Sequence, residues 1–463
     1  MGESVKIHCC GVHERGHCFA IECGEEVIFL DGGVNISGEK YRAFLKLGED
    51  ATYQEVSNTV GAPILENIDL ENVKGFCLSH EHSDHVSGIP FLYKEVPAPI
   101  FSTRPTIFGT RHQFDIHKIK IGGDAFIPVE YRDEVPEKYR PRRISRDLFS
   151  FFRVKVGKHF EVMWIPTEHS SLNAYCLAVV LPKKRLIFYT GDFKLDLKEN
   201  RPPMNTLRVL SEKYEILLIC ETIGVEKDGV TGVEEVLVEK LEESLTNLDV
   251  RLILAAVRAS EVPRIHSFEQ IATKLNRRVA LVGRSMRNTY EAMRRSFPGV
   301  LTGDYVMFEP SELKSISKEK YNRYIFLADA RMWHSYRTNF HGILKGAAPL
   351  KRCRGEKLLE IGKDDVVIFS TTEPYEKYMR ICQGHVKKHV AASKAMFYPD
   401  LHVSGHGQIG DYRILVSALN PEVVIPFHRE KPERGLLKGN VLDPLDYKGT
   451  FYNPNDGDVY AWG

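Results

Sequence analysis

The sequence predicts a layered α/β protein, and three observations carry that prediction. Short apolar runs recur along the 463-residue chain, and many stop at a polar cluster. Runs without polar alternation read as strands covered on both faces. Amphipathic helical patterns lie between them, and an alternation of buried strands with helices gathers polar groups at the strand ends.

Taken in order, Val27-Ile28-Phe29-Leu30 stops at Asp31, Phe76-Cys77-Leu78 at Ser79-His80, and Leu186-Ile187-Phe188-Tyr189 at Thr190-Gly191-Asp192. Ile216-Leu217-Leu218-Ile219 precedes Glu221, Val366-Val367-Ile368-Phe369 precedes Ser370, and Val423-Val424-Ile425 precedes His428. Val233, Leu237, Leu241 and Leu245 recur four apart among Glu and Lys, the pattern of an amphipathic helix. Stretches 264–276 and 287–297 read the same way. Polar clusters of His and Asp occur before about residue 195 and again after about 400, while 206–362 has basic helices and strands such as Leu252-Ile253-Leu254-Ala255-Ala256-Val257. If the two ends form one site, the middle is an inserted domain. The expected division is 1–205 plus 363–463 around 206–362.

Composition narrows the class. The chain is 43% hydrophobic and 27% charged, with Gly and Pro scattered, which excludes disordered and collagen-like chains. Lys+Arg 63 against Asp+Glu 62 argues against a tail-driven polyanion binder, though not against a local basic groove. Nine cysteines, an odd count without regular spacing, suggest reduced thiols. No charged-then-apolar leader opens the chain, and no apolar run approaches the roughly 18 to 20 residues that span a bilayer. The expectation is a cytoplasmic protein without membrane contact.

His80-Glu81-His82-Ser83-Asp84-His85 is the strongest local signal. With 18 histidines in the chain, an H-x-H-x-D-H string arises by chance on the order of one time in a thousand. In a loop after a strand, His80 and His82 can reach one cation while Asp84 and His85 reach a second. Imidazole and carboxylate donors without cysteine suit Zn²⁺ or Mn²⁺ and leave a reactive water. Further ligands are expected at other strand ends: His169, Asp192 and His428. Cys9, Cys10, Cys18 and Cys23 with His8, His13 and His17 show no C-x-x-C pair and read as a hairpin rather than a structural zinc site.

On these residues the sequence resembles the metallo-β-lactamase fold, its β-CASP branch, and within it the ribonuclease J family. The resemblance implies an αββα sandwich interrupted by an α/β β-CASP domain. It implies metal ligands at His80, His82, Asp84, His85, His169, Asp192 and His428, with His80, His82 and His169 on one ion, Asp84, His85 and His428 on the other, and Asp192 between them. The branch adds an acidic residue matched by Glu221 in ICETIG and a histidine matched by His406 in HVSGHG. Three features depart from the family: the stretch 326–334 lacks its Gly-rich segment, its Ser-Ser-Ser turn reads Ser370-Thr371-Thr372, and Glu stands for Asp at 221. The chain also ends at Gly463, as expected of a short, archaeal-type member without the extra C-terminal domain.

Two cations about 3.5 to 4 Å apart can activate a hydroxide and clamp a phosphate. The catalytic set is expected to be Asp84, Glu221 and His406, with His406 as general acid beside Glu221, and Asp31 hydrogen-bonding a ligand histidine. Ser370, Thr371, Ser404 and Gly405 could present hydroxyls and backbone N–H groups to a phosphate, which in the resembling family receives the 5′ end. Two basic stretches could track a nucleic-acid backbone: residues 138–158, where Arg140, Arg142, Arg143, Arg146, Arg153, Lys155 and Lys158 interleave with Phe149, Phe151 and Phe152, and Arg284, Arg287, Arg294 and Arg295. The expectation is a nuclease with two divalent ions, Zn²⁺ with Mn²⁺ as the alternative, acting 5′ to 3′ on single-stranded RNA, with endonuclease action and a homodimer left open. A DNA-directed nuclease, a small-ester or lactam hydrolase and a non-catalytic RNA-processing scaffold are the competing readings.

Overall fold

The computed structural model describes residues 4–36, 38–130, 134–140, 151–171, 173–246, 249–297, 299–330, 359–371 and 377–463. Contacts divide the chain into two units, 1–231 with 405–463, and 232–404.

The first unit holds two seven-stranded sheets. One contains β1 (Val5–Gly11), β2 (Cys18–Cys23), β3 (Glu26–Leu30), β4 (Val73–Cys77), β5 (Ile100–Ser102) and β6 (Phe126–Pro128) in sequence order, with β20 (Val459–Trp462) outside β1. The other contains β7 (Phe152–Val156), β8 (Phe160–Pro166), β9 (Tyr175–Leu181), β10 (Arg185–Tyr189), β11 (Glu215–Glu221), β18 (Val423–Phe427) and β19 (Thr450–Phe451), in the order β19-β18-β11-β10-β9-β8-β7. Alternation explains why these strands read as unbroken apolar runs. Ile28 and Leu30 of β3 and Ile187 and Tyr189 of β10 enter the core between the sheets, with Trp164, Leu217, Ile219 and Phe427. Their neighbours face outward: Phe29 stacks on Phe76 at 5.3 Å, and Leu186 and Phe188 enter a second core with Leu415 and Leu437. The helices Ile409–Leu419 and Lys431–Leu437 contribute those leucines. Helix Arg104–His117 sends Phe114 against Phe126 of β6. Helices therefore lie outside both sheets.

Register sets the site. Leu30 pairs with Cys77 in the parallel β3–β4 ladder, and Tyr189 with Ile219 and Ile219 with Ile425 across parallel β10, β11 and β18. The C-terminal ends of each parallel set therefore align, and the residues just beyond them share an edge.

The second unit is built on a six-stranded, all-parallel sheet. It contains β12 (Leu252–Val257), β13 (Arg278–Val282), β14 (Tyr305–Phe308), β15 (Tyr324–Asp329), β16 (Asp365–Phe369) and β17 (Met396–Tyr398), in the order β14-β13-β15-β12-β16-β17. Helix Glu234–Leu245 buries Leu237, Leu241 and Leu245 at the expected spacing. The other two expected helices run Val262–Lys274 and Arg284–Ser296, starting earlier than their apolar pattern suggests because Pro263 at the first turn and Gly283 set their N-termini. The contact boundaries fall later than 205 and 362, since β11 pairs with β10 and β18 while β16 pairs with β12. No helix among the described residues is long and apolar enough to cross a membrane.

Candidate metal centre

Five loops of the first unit converge. His80 to His85 follow β4, with Ser83–Val86 forming one helical turn that carries Asp84 and His85. His169 follows β8, Asp192 follows β10, Glu221 ends β11, and His428 follows β18. Asp31 follows β3. Asp31 and His428 have φ of 56° and 86°, a region that side chains other than Gly seldom adopt and that concentrates at functional sites. The His428 N–H donates to Val12 O at 2.8 Å, which holds that turn.

The hydrogen bonds around the histidines dictate which nitrogen faces inward. His85 Nδ1 lies 2.7 Å from Asp31 Oδ2, and His169 Nδ1 lies 2.5 Å from the Gly405 carbonyl. Both partners only accept, so both Nδ1 atoms carry the proton. Ser79 Oγ donates to Asp31 Oδ2 at 2.7 Å, so it meets His80 Nδ1 at 3.0 Å as an acceptor. In their neutral forms all three rings thus turn an unprotonated Nε2 inward, the arrangement that orients metal-binding histidines. The Nε2 atoms of His80, His85 and His428 and Oδ1 of Asp192 are buried without a hydrogen bond among the described residues.

The spacing of these atoms fits cations. Two donors about 2.05 Å from one tetrahedral ion stand about 3.3 Å apart. His82 Nδ1 and His169 Nε2 are 3.0 Å apart, and Asp192 Oδ2 lies 3.4 Å from His169 Nε2 and 3.6 Å from His80 Nε2. The other oxygen, Asp192 Oδ1, lies 3.1 Å from His85 Nε2 and 3.2 Å from His428 Nε2. Asp84 Oδ2 is 3.7 Å from His428 Nε2. Donor atoms of His80, His82, His169 and Asp192 lie within 4.8 Å of one another, as do those of His17, Asp84, His85 and His428. The residues fit a divalent metal cofactor.

Protonation agrees. Burial pushes His80 and His169 well below the usual imidazole range and takes His82 to about 4. Burial, then the neighbouring His428, takes His17 to about 3. Burial also opposes charge on His85 and His428, but Asp192 outweighs it, helped by Asp31 for His85 and by Asp84 for His428; His85 rises and His428 reaches about 9. Burial resists ionisation of Asp84 and Asp192 as well, yet His17 and His85 hold Asp84 low and His428, His85 and His406 hold Asp192 low. Ionised Asp84 and Asp192 and neutral His80, His82 and His169 are in the ligand state a cation needs, while a cation beside His85 and His428 would displace the protons those two hold.

Beside this cluster, His406 Nδ1 lies 2.9 Å from Oε2 and 3.1 Å from Oε1 of the fully buried Glu221. Glu221 Oε1 also accepts from Phe193 N at 2.8 Å, which fixes the carboxylate. His406 Nδ1 is 4.0 Å from Asp192 Oδ2.

The expected phosphate contacts are placed differently from one another. Gly405 is in the first unit and orients His169 through its carbonyl. Ser370, Thr371 and Ser404 belong to the second unit. Ser370 is fully buried, and its Oγ and carbonyl both accept from Arg264 Nη1, at 3.0 and 2.9 Å. Of the basic stretches, Arg142, Arg143, Arg146 and Phe149 lie outside the described residues, as do residues 331–334 of the divergent segment. Arg153 is buried against Glu161 at 3.1 Å. Arg287 pairs with Glu309 at 2.9 Å, and exposed Arg295 with Glu291 at 3.7 Å.

His17 is the residue sequence reasoning set aside. The available signal was hairpin register: Phe19 pairs with Leu30, which places His17 beside the turn that follows Asp31. Of the cysteines in that hairpin, Cys9 and Cys23 pack in the core between the sheets.

Two facing sheets flanked by helices, with a His-Asp cluster at their strand ends and a separate parallel-sheet unit between the two parts of the chain that form them, have the layering expected of the metallo-β-lactamase fold. No family model matches the chain. Curated relatives do: ribonuclease J of Pyrococcus abyssi is 25% identical over 443 residues, covering 92% of this chain and 90% of the relative. Ribonuclease J of Synechocystis is 24% identical over 427 residues, covering 91% of this chain. The chain spans 59% of the length of that relative and of a Helicobacter pylori ribonuclease J. A solved structure of a protein of unknown function from Enterococcus faecalis V583 superposes with a TM-score of 0.63 at 18% identity, covering 99% of this chain and 100% of the other, and so shares the fold. The chain is thus similar to curated ribonuclease J proteins over nine-tenths or more of its length.

Proposed function

We infer that this protein is a metal-dependent ribonuclease that hydrolyses phosphodiester bonds of single-stranded RNA from the 5′ end. One observation carries the reading. The two oxygens of Asp192 face separate groups of donors, Oδ2 toward His169 and His80 and Oδ1 toward His85 and His428. A carboxylate shared in this way is what two adjacent ions require. In this reading His80, His82 and His169 would hold one ion and Asp84, His85 and His428 the other, with Asp192 serving both. Nitrogen and carboxylate donors favour Zn²⁺, with Mn²⁺ as the alternative. Such a pair, when bound, supplies a hydroxide at neutral pH and charge neutralisation at the phosphate.

The protein's own groups do the rest. Asp31, the Gly405 carbonyl and Ser79 hold His85, His169 and His80 with Nδ1 protonated. Glu221 fixes Nδ1 of His406, so that a proton for the leaving ribose oxygen comes from Nε2. The names of the relatives support RNA as substrate. The Glu221–His406 pair supports phosphodiester cleavage, since a lactam or small-ester hydrolase has no ribose leaving group to protonate.

The test uses end-labelled single-stranded RNA and DNA carrying a 5′ monophosphate, triphosphate or hydroxyl, with wild type and His82→Ala. Mononucleotides should appear from monophosphorylated RNA and vanish with the variant. Equal degradation by both proteins, or turnover of a chromogenic lactam without turnover of RNA, overturns the reading.

A further inference from the structure

We propose that His17 is a direct ligand of the cation on the Asp84 side, making that side richer in protein donors than the His80 side. The inference rests on the two-ion reading above and goes beyond it, since neither the motif string nor the strand-end candidates include His17.

The geometry of His17 is that of the other ligands. Its Nε2 lies 3.6 Å from Asp84 Oδ2, matching the 3.6 Å from His80 Nε2 to Asp192 Oδ2 and the 3.7 Å from His428 Nε2 to Asp84 Oδ2. Its ring centroid lies 4.0 Å from that of His428 and 4.8 Å from that of His85, both on the same side. The residue is 3% exposed, and its Nδ1 is buried without a hydrogen bond among the described residues.

The backbone is built to bring it there. The His17 N–H donates to the carbonyl of Asp84 at 2.9 Å, and the His17 carbonyl accepts from Gly33 N at 3.1 Å. His17 is thus tied directly to the residue whose carboxylate it faces. Two glycines permit the approach. A Cβ on Gly33 would stand 1.6 Å from the Asp84 carbonyl oxygen, and one on Gly16, whose φ is +73°, would stand 2.4 Å from Val34 N. Any side chain at either position would push the hairpin off the helical turn that carries Asp84 and His85.

With His17 counted, the Asp84 side has His17, Asp84, His85 and His428 together with Oδ1 of Asp192. The His80 side has His80, His82 and His169 with Oδ2. The ion beside Asp84 should therefore bind first and more tightly.

The test is metal binding rather than activity. The full chain, stripped with a chelator, is titrated with Co²⁺ and followed by calorimetry and by ligand-field absorption, for wild type, His17→Ala, His17→Asn and His80→Ala. Wild type should bind two equivalents. His17→Ala should weaken one of them at least about tenfold and alter the Co²⁺ absorption of the tighter site, while His80→Ala weakens the other. His17→Asn, whose amide can still donate to Asp84, should not restore affinity. If wild type binds fewer than two ions, the two-ion reading fails. If wild type binds two and His17→Ala binds both unchanged, or His17→Asn restores wild-type binding, the His17 assignment fails and the two-ion reading stands. Should the variants not fold, cadmium bound to wild type with isotope-labelled histidine decides: a resonance of His17 coupled to the metal supports ligation, and its absence beside coupled His85 and His428 overturns it.

Discussion

Replacing Asp31 with Asn tests whether hydrogen bonds behind the ligands control the metal centre. The carboxylate of Asp31 is fully buried and accepts four hydrogen bonds, each 2.7 Å: Ser79 N–H on Oδ1, and Ser79 Oγ, His85 Nδ1 and Tyr189 Oη on Oδ2. An asparagine has the same shape but only one accepting oxygen. Ser79 N–H can only donate, so the amide oxygen must take the Oδ1 place and the NH2 group the Oδ2 place. Two amide hydrogens then face three groups. The hydroxyls of Ser79 and Tyr189 can rotate to accept, but His85 can accept at Nδ1 only by moving its proton to Nε2. That proton would point at Asp192 Oδ1 and block the lone pair a cation needs. The alternative leaves His85 Nδ1–H against an NH2 group. One unsatisfied buried donor costs about 1–3 kcal/mol of stability. Losing the orienting partner of a ligand histidine lowers metal affinity about 10–100-fold, or about 1.4–2.8 kcal/mol. Denaturant unfolding of the stripped variant and calorimetric titration of the metal measure the two separately. Wild-type affinity for both ions in Asp31→Asn would refute the tautomer argument, because the substitution leaves every ligand in place.

Two further outcomes follow from the geometry. If His406, held by Glu221, acts on the leaving group as proposed, His406→Asn should lower kcat by about 10²–10⁴-fold while leaving metal content unchanged; single-turnover cleavage with metal analysis checks this, and loss of an ion with the activity would contradict it. In the stripped protein, His80, His82 and His169 refuse protons that the unfolded chain takes up near 6.5, so stability should fall as pH drops from about 6.5 toward the value of about 4 for His82. Each such histidine contributes up to about 1.4 kcal/mol per pH unit. His428, held at about 9, has the opposite sign: its contribution is complete below 6.5 and is lost as pH rises through 9. Unfolding midpoints between pH 4 and 10 should therefore peak near 6.5 and decline toward 9, and His82→Asn should flatten the acid limb; a midpoint level from pH 4 to 6.5 would oppose it.

Much of this site could be read from residue order alone. The string from His80 to His85 is local, and a short loop after a buried strand leaves its side chains few places to go. Asp31, Asp192, Glu221 and His428 were legible for a related reason: each follows a run apolar on both faces, and buried parallel strands deliver their C-terminal residues to one edge. The helix Glu234–Leu245 was legible because its buried leucines repeat every four residues.

Other features needed the folded chain. Whether Asp192 serves one cluster or two depends on where its two oxygens point, and that is set by registers between strands far apart in sequence. His17 faces Asp84 because β2 is antiparallel to β3 and the Gly33 backbone permits near contact, neither of which local spacing encodes. The oxygens of Ser370 accept from Arg264, 106 residues away, a pairing that no local spacing encodes and that leaves the hydroxyl hydrogen to donate. Sequence by itself determined which chemical groups are present and which strand ends carry them, because periodicity and composition are local properties. Tertiary structure decided which of those groups converge, which orient another, and which also pair within the fold, because those distinctions turn on distances of a few tenths of an ångström between atoms the chain joins only through long-range pairing.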